Sequence, residues 1–239
     1  MKKLFTLGIA LAFACAAYAY PTLTGPTGLA NLPTAGIVGA GGFNVAVDYY
    51  DMDGEEAIPI RLLYGLNDTV ELGASYWMQD GVDAFMLNAK WVTPLTLLDM
   101  PWALGLQYAD FDFDGTATQF YFVGTRPLLE GDDTMPAING TFGVNWTMYE
   151  EDDALDDEDA FRFFLGFDAT FANNLMLALE YQTKSSDLDE DALWSLLARY
   201  PFTETITGQI GYTNGFGGVI GLDDSNLFAG VNFAWGGTE

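Results

Sequence analysis

Eight charged residues are the strongest candidates for chemistry, because each lies in a segment where polar and apolar residues alternate. They are Asp48, Arg61, Glu71, Lys90, Arg162, Asp168, Glu180 and Arg199. A carboxylate pair such as Asp168 and Glu180 could carry out acid–base chemistry on a bound molecule. Ion pairing is the favoured interpretation, since four basic residues are available to balance four acids and an unpaired buried charge is costly. The sequence therefore predicts a charged, internally balanced site without catalysis.

The composition excludes the commonest catalytic and metal-binding arrangements. The 239-residue chain has no histidine and one cysteine, Cys15. It therefore lacks an imidazole base, a histidine metal ligand and the histidine partner of a nucleophilic serine or cysteine. Its 8 basic and 34 acidic residues give a net charge of -26, which disfavours binding to a nucleic-acid backbone. We expect no enzymatic activity, no cofactor or metal centre, and no nucleic-acid partner.

Residues 1–19 have the three parts of a secretory signal peptide. Two lysines precede an apolar run, and the small-x-small motif Ala17-Tyr18-Ala19 closes it. The apolar run is shorter than the roughly 20 residues that a membrane-spanning helix needs. A lipoprotein signal at Cys15 is an alternative, although the bulky Phe13 upstream is unfavourable for lipid attachment. Cleavage after Ala19 would leave a mature chain without cysteine.

The rest of the chain alternates with a period of two, as on β-strands with one apolar face. Turn-forming pairs such as Asp80-Gly81 and Asn173-Asn174 separate the alternating segments. There are twelve such segments, at residues 41–51, 57–65, 69–79, 83–93, 102–111, 117–126, 138–149, 160–171, 174–184, 193–201, 205–214 and 225–235. Each has roughly the 9–12 residues of a tilted strand that crosses a bilayer.

Several features favour a transmembrane barrel over a soluble β-sandwich, which would also alternate. Aromatic residues such as Trp91, Tyr108 and Trp235 lie near the segment ends on the apolar face, as in interfacial girdles. Long acidic connections alternate with connections of little charge, except after the sixth segment. An even strand count returns both ends to one side of the membrane. We predict an all-β, antiparallel up-and-down barrel of about 12 strands, with 10–14 possible.

If the apolar face contacts lipid, the eight charged residues line the lumen. Four of the six basic residues that follow the signal peptide then point inward. Two interpretations remain open. One is a narrow hydrated pore with a charged constriction. The other is a lumen closed by ion pairs and by Trp77, Tyr121 and Phe164. A barrel of twelve strands is wide enough for either.

The acidic connections are candidates for weak cation binding. Residues 150–159 hold eight acids, a composition typical of a solvated segment. Residues 110–115, with the sequence DFDFDG, match the opening of an EF-hand loop, but Tyr121 stands where the closing acid is required. An Asp-Gly hairpin turn is favoured there. We expect divalent cations to bind weakly and collectively to the loops, whose field would also favour cations at the mouth.

Two stretches of the sequence resemble known barrels. Residues 20–35, with the sequence YPTLTGPTGLANLPTA, resemble the opening of outer-membrane barrels of the YjbH-like family, some of which are linked to exopolysaccharide export. Residues 64–73, YGLNDTVELG, look like a hairpin unit common in that and related families. The segment that ends at Trp235 resembles the C-terminal signal recognised by the barrel-assembly machinery. The resemblance implies an outer-membrane barrel and a link to polysaccharide export.

The sequence thus predicts a signal peptide at 1–19, a Gly/Pro/Thr-rich lead-in at 20–40 in the periplasm or the lumen, a barrel at 41–235 and a tail at 236–239. The predicted location is the outer membrane of a Gram-negative-type bacterium, with the N-terminus periplasmic. The predicted function is porin-like passive passage of small solutes with a weak cation preference. The alternatives are a non-conducting structural or exopolysaccharide-export barrel and a soluble periplasmic β protein. The expected partners are outer-membrane lipid, the barrel-assembly machinery and small solutes.

Overall fold

Twelve antiparallel strands form a closed barrel in which each strand pairs with its neighbours in sequence and β1 pairs with β12. The computed structural model describes residues 20–52, 55–79, 83–112, 115–151, 158–185, 191–215 and 226–236. The predicted signal peptide, the end of the predicted tail and most of the acidic loop residues lie outside these described residues. The strands are β1 (Phe43–Met52), β2 (Glu55–Asn67), β3 (Val70–Gln79), β4 (Ala84–Leu97), β5 (Met100–Phe111), β6 (Gly115–Leu129), β7 (Ala137–Glu151), β8 (Glu158–Thr170), β9 (Met176–Gln182), β10 (Leu193–Pro201), β11 (Ile206–Thr213) and β12 (Asn226–Trp235).

The predicted all-β barrel and its twelve strands are confirmed. The alternation that predicted them has its physical counterpart in burial: β9 alternates residue by residue between buried and exposed side chains. Glu180 points inward and is 1% exposed, whereas its neighbour Tyr181 points outward and is 47% exposed. Because every strand is paired on both sides, the wall has no free strand edge. In the part of the chain that the structure describes, no helix is long and apolar enough to cross a membrane.

The hairpin between β4 and β5 is longer than the sequence predicts. The predicted segments end at residue 93 and restart at 102, but the strands continue to Leu97 and resume at Met100. Leu98 and Asp99 form the turn with φ angles of 58° and 56°, the sign that type I′ hairpin turns require at both central residues. Leucine rarely adopts this conformation, so the residue types gave no sign of the turn.

Pro59 lies within β2, which the sequence also predicts as a strand. It is in register with Trp77 of β3. On the other side, β1 pairs with β2 at Ile60 and Ala57 but not at Pro59. Proline has no N–H to contribute to a strand ladder, so the interruption of the β1–β2 pairing occurs where it is expected.

The two ends of the barrel differ in their connections. The connections at residues 68–69, 98–99, 130–136, 171–175 and 202–205 join consecutive strands at one end, which we call the turn end. Gly41, immediately before β1, lies at this end and its amide donates to the carbonyl of Gly65 over 2.8 Å. The connections that follow β1, β3, β5, β7, β9 and β11 contain most of the acidic loop residues and join the strands at the opposite end, which we call the loop end. The chain therefore enters the barrel at the turn end.

Candidate functional site: the filled lumen

The lumen of the barrel is occupied by the chain itself. Residues 20–40, which we call the lumenal segment, are buried over most of their length, and Leu23 and Ala30 have no exposed surface. The segment folds back on itself: the amide of Leu23 donates to the carbonyl of Ala30 over 2.7 Å, and the amide of Thr34 donates to that of Thr27 over 3.1 Å. Its hydrogen-bond partners are inward-facing side chains on strands from different parts of the barrel.

Three basic side chains of the wall hold carbonyl groups of the lumenal segment. Arg61 of β2, Lys90 of β4 and Arg199 of β10 all point inward and are at most 3% exposed. Their donor-to-oxygen distances are 2.9 Å for Arg61 to Thr22, 2.8 and 3.3 Å for Lys90 to Thr27 and Thr34, and 2.8 and 2.7 Å for Arg199 to Gly28 and Leu29. Each cation therefore binds the main chain of the segment, where carbonyl oxygens are the only main-chain acceptors.

Two acidic side chains of the wall hold amide groups of the same segment. Glu180 of β9 accepts hydrogen bonds from the amides of Asn31 (2.9 Å) and Leu32 (3.1 Å). Glu71 of β3 accepts from the amides of Thr27 (3.0 Å) and Val38 (2.8 Å), and from the Thr27 hydroxyl. Hydrogen bonds to an ionised acceptor are stronger than those between neutral groups. The wall thus binds both kinds of main-chain group in the segment: its basic side chains bind carbonyls and its acidic side chains bind amides.

Ion pairs within the wall balance the same charges. Asp48 of β1 contacts Arg61, and the Nζ of Lys90 lies 3.4 Å from Oε1 of Glu71. All four side chains are buried. The guanidinium carbon of Arg199 lies 4.1 Å from the centre of the Tyr20 ring, so an aromatic face adds to its stabilisation. The buried charges therefore have the partners that a low-dielectric interior requires.

The two remaining predicted residues also face the interior. Asp168 of β8 is 8% exposed and accepts a hydrogen bond of 2.8 Å from Nδ2 of Asn139 on β7. Arg162 is 1% exposed and stands in register with Asn145 of β7. All eight predicted charged residues therefore lie on the inward face, and five of them bind the lumenal segment directly.

Two clusters of aromatic and apolar side chains also fill the lumen. Near the loop end, the Tyr50 ring packs against Trp77 and Phe228 at centroid distances of 5.3 and 5.4 Å. A second cluster of buried residues joins Leu32 of the lumenal segment with Tyr121 and Phe164 of the wall. Trp77, Tyr121 and Phe164, which the second sequence interpretation named, are 2–3% exposed. The middle of the lumen therefore combines ion pairs, aromatic rings and an inserted peptide.

The role of residues 20–40 as the inner partner of the charged residues could not be identified from residue types. The segment does not alternate, so it gives no strand signal. Its one informative property is that residues 20–42 contain no Asp, Glu, Lys or Arg, in a chain that is 18% charged. A neutral segment next to a charge-balanced wall can be buried without adding an unpaired charge.

Comparison with known proteins shows similarity of fold alone. No family model and no curated protein matches the chain. The KdgM porin shares 10% identity at a TM-score of 0.62, over 81% of this chain and 99% of that chain. The NanC porin shares 12% identity at 0.59, over 80% and 98%. The outer membrane protein Omp33 of Acinetobacter baumannii shares 11% identity at 0.50, over 81% and 97%. These likenesses support the barrel architecture.

Proposed function

We propose that this chain is an outer-membrane β-barrel of the porin type, which lets small solutes pass by diffusion with a weak preference for cations. The observation that carries the proposal is the division of the wall into two faces. Outward residues such as Phe163 and Leu179 are apolar and 59% and 49% exposed, while charged residues such as Arg162 and Glu180 are buried inside. A closed barrel with an apolar exterior is one of the two backbone arrangements that a bilayer permits.

The turn end of this barrel faces the periplasm in our proposal, and the acidic loops face the outside. Bacterial outer-membrane barrels have short periplasmic turns and longer external loops. The lumenal segment enters at the turn end beside Gly41, so the N-terminus of the barrel is periplasmic. Outer-membrane lipid is then the partner of the apolar face.

The weak cation preference arises at the mouth rather than in the lumen. The four basic and four acidic inward residues balance, whereas the whole chain carries a net charge of -26. Most of the excess acids therefore lie outside the lumen, and their field raises the local cation concentration. The lumenal segment narrows the path, so solutes pass beside it or after it moves.

The experiment that tests the proposal is single-channel recording of the folded chain, residues 20–239, in a planar bilayer under a salt gradient. We expect discrete current steps with a cation-selective reversal potential. Arg162→Gln and Arg199→Gln should each increase this selectivity, because each removes a positive charge from the lumen. Lys184→Gln, at an exposed position, is the matched control and should change it little. An unaltered reversal potential in both arginine variants would contradict the constriction.

A second candidate function is a non-conducting barrel with a structural role or a role in polymer export. The filled lumen favours it, because the lumenal segment and the layers around Tyr50 and Phe164 occupy the middle of the barrel. If this second candidate is correct, protein that shows heat-modifiable migration on a gel, and is therefore folded, will conduct no current under any salt gradient. Membership of the YjbH-like family belongs to this second candidate and stays a prediction.

Recognition by the barrel-assembly machinery and weak loop binding of divalent cations also stay predictions. The strand that would carry the assembly signal, β12, ends at Trp235 and pairs along its whole length with β1. The absence of enzymatic activity likewise stays a prediction, which rests on the lack of histidine and on the bonded state of the inward acids. Asp48 and Glu71 form ion pairs, whereas the two candidates for acid–base chemistry, Asp168 and Glu180, accept hydrogen bonds from Asn139 and from the lumenal segment.

A further inference from the structure

The contacts between the wall and the lumenal segment are directed mainly at main-chain groups. Arg61, Lys90 and Arg199 donate to carbonyls, and Glu71 and Glu180 accept from amides. Wall hydroxyls add to this pattern: Ser75 donates to the carbonyl of Thr24 and Thr125 accepts from the amide of Ala35. Amides and carbonyls recur in every residue except proline, which lacks the amide donor. The inward face is therefore built to bind a peptide.

The barrel wall does not depend on this segment for its own main-chain hydrogen bonds. The ladder of twelve strands closes through the pairing of β1 with β12. Between residues 20 and 38, the main-chain-to-main-chain hydrogen bonds of the described structure stay within the segment. The side chains of the segment also carry no charge, so its departure leaves the charged side chains of the wall in balance. Water can then hydrate the vacated side chains.

The attachment of the segment to the barrel has the features of a hinge. Four glycines occur between residues 36 and 42, and Gly41 is exposed with a φ of 72°, a conformation that glycine adopts without strain. Next to it the chain crosses Gly65 so closely that a Cβ there would lie 2.0 Å from the carbonyl oxygen of Gly39. The lumenal segment is thus joined to β1 by a glycine-rich strip that is exposed at Gly41.

From these observations we propose that the lumen is a peptide-binding site and that the lumenal segment is its tethered, exchangeable ligand, whose release opens the barrel. The ligand class is a peptide of small and apolar residues without charged side chains, which turns at glycine and proline and is bound through its main chain. The last part of the proposal rests on the proposed function, whereas peptide binding stands independently of conduction.

The binding test uses the full chain, folded first and then cut. A protease recognition sequence inserted beside the exposed Gly41 allows cleavage after folding, so that the segment becomes a non-covalent ligand. A fluorescent synthetic peptide of residues 20–40 should replace it at one site per barrel. N-methylation of this peptide at Asn31 and Leu32 removes the two donors to Glu180 without changing a side chain, and should weaken binding about tenfold or more. N-methylation at Gly36 is the control and should have little effect.

Two results would overturn the peptide site. One is equal binding of all three peptides. The other is a cut barrel that keeps its heat-modifiable migration but exchanges no peptide.

The gating test compares current in locked and emptied barrels. Nδ2 of Asn31 lies 2.8 Å from Oγ of Ser195, so Asn31→Cys with Ser195→Cys introduces thiols at two contacting positions of a mature chain without other cysteines. The oxidised variant should be silent, the cut and washed barrel should conduct, and added peptide should block it again. Equal, nonzero current in locked and washed barrels would overturn the gate. Exchange of peptide in a washed barrel that stays silent would overturn passive passage and leave the peptide site standing.

Discussion

Replacement of Glu180 by glutamine should loosen the lumenal segment by a predictable amount. The carboxylate accepts from the amides of Asn31 and Leu32 and is 1% exposed, so solvent screens these bonds little. A hydrogen bond to a charged group contributes about 1.5–3 kcal/mol and one between neutral groups about 0.5–1.5 kcal/mol. Glutamine offers a single neutral acceptor in place of two bonds to a charge, so we expect a loss of about 2–5 kcal/mol. That loss corresponds to a factor of roughly 30 to several thousand in the equilibrium between the filled and the vacated lumen.

The assay follows a cysteine placed in the segment. Thr24 is 2% exposed, so in a Thr24→Cys background a membrane-impermeant thiol reagent reacts when the segment leaves the lumen. The reaction rate should rise by the same factor in Glu180→Gln. Asp168→Asn is the matched control, because it removes the same charge from the same face while Asp168 binds Asn139 of the wall. Equal acceleration in both variants, or none in either, would refute the assignment of Glu180 as a holder of the segment.

Three further predictions concern the hinge, the lipid face and a turn. Gly65→Ala should also accelerate thiol labelling, because the added Cβ would lie 2.0 Å from a carbonyl oxygen of the segment. Gly36→Ala is the control and should leave the rate unchanged, because its Cβ would have no neighbour closer than 3.5 Å. Leu104→Arg, at a 44% exposed outward position in mid-strand, should destabilise the barrel in lipid by about 2–4 kcal/mol; denaturant titration that shows no loss would contradict burial in a bilayer. Hydrogen bonds from Thr134 lower the pKa of the Asp132 carboxyl, so this carboxylate should stabilise its turn through the ordinary range of aspartate titration and cease to do so only when the pH falls through the lowered pKa. Titration of Asp132 by NMR at an ordinary aspartate value would contradict that cause.

The sequence predicts the wall of this barrel well, because a wall strand has two chemically different faces. Phe161, Phe163 and Leu165 alternate with residues that include Arg162, and this period of two identifies both the strand and its orientation. The same alternation places all eight charged residues on the inward face. Charge alone, however, does not reveal the partner of a buried side chain.

The contents of the lumen are harder to predict, because main-chain groups are common to all residues. Nothing in the residue types shows that Glu180 binds the amides of Asn31 and Leu32, which are about 150 positions away in sequence. Almost every residue has the same amide donor, so the position of these amides in the fold, and not their residue type, determines the contact. The turn at Leu98 was missed for a related reason. Its positive φ is imposed by the geometry of the hairpin against the local preference of leucine.

The pairing of β1 with β12 also has a consequence for the speed and order of folding. Phe43 pairs with Trp235, and Arg199 binds the carbonyl of Gly28 across 171 positions of sequence. The contacts that close the barrel and those that hold the lumenal segment are therefore among the least local in the chain. Each contact of this kind requires the closure of a long loop, whose entropic cost precedes the favourable free energy of the contact. Chains rich in such contacts therefore fold slowly. The pairing of β1 with β12 and the full set of contacts to the lumenal segment therefore form only after the last strands are present.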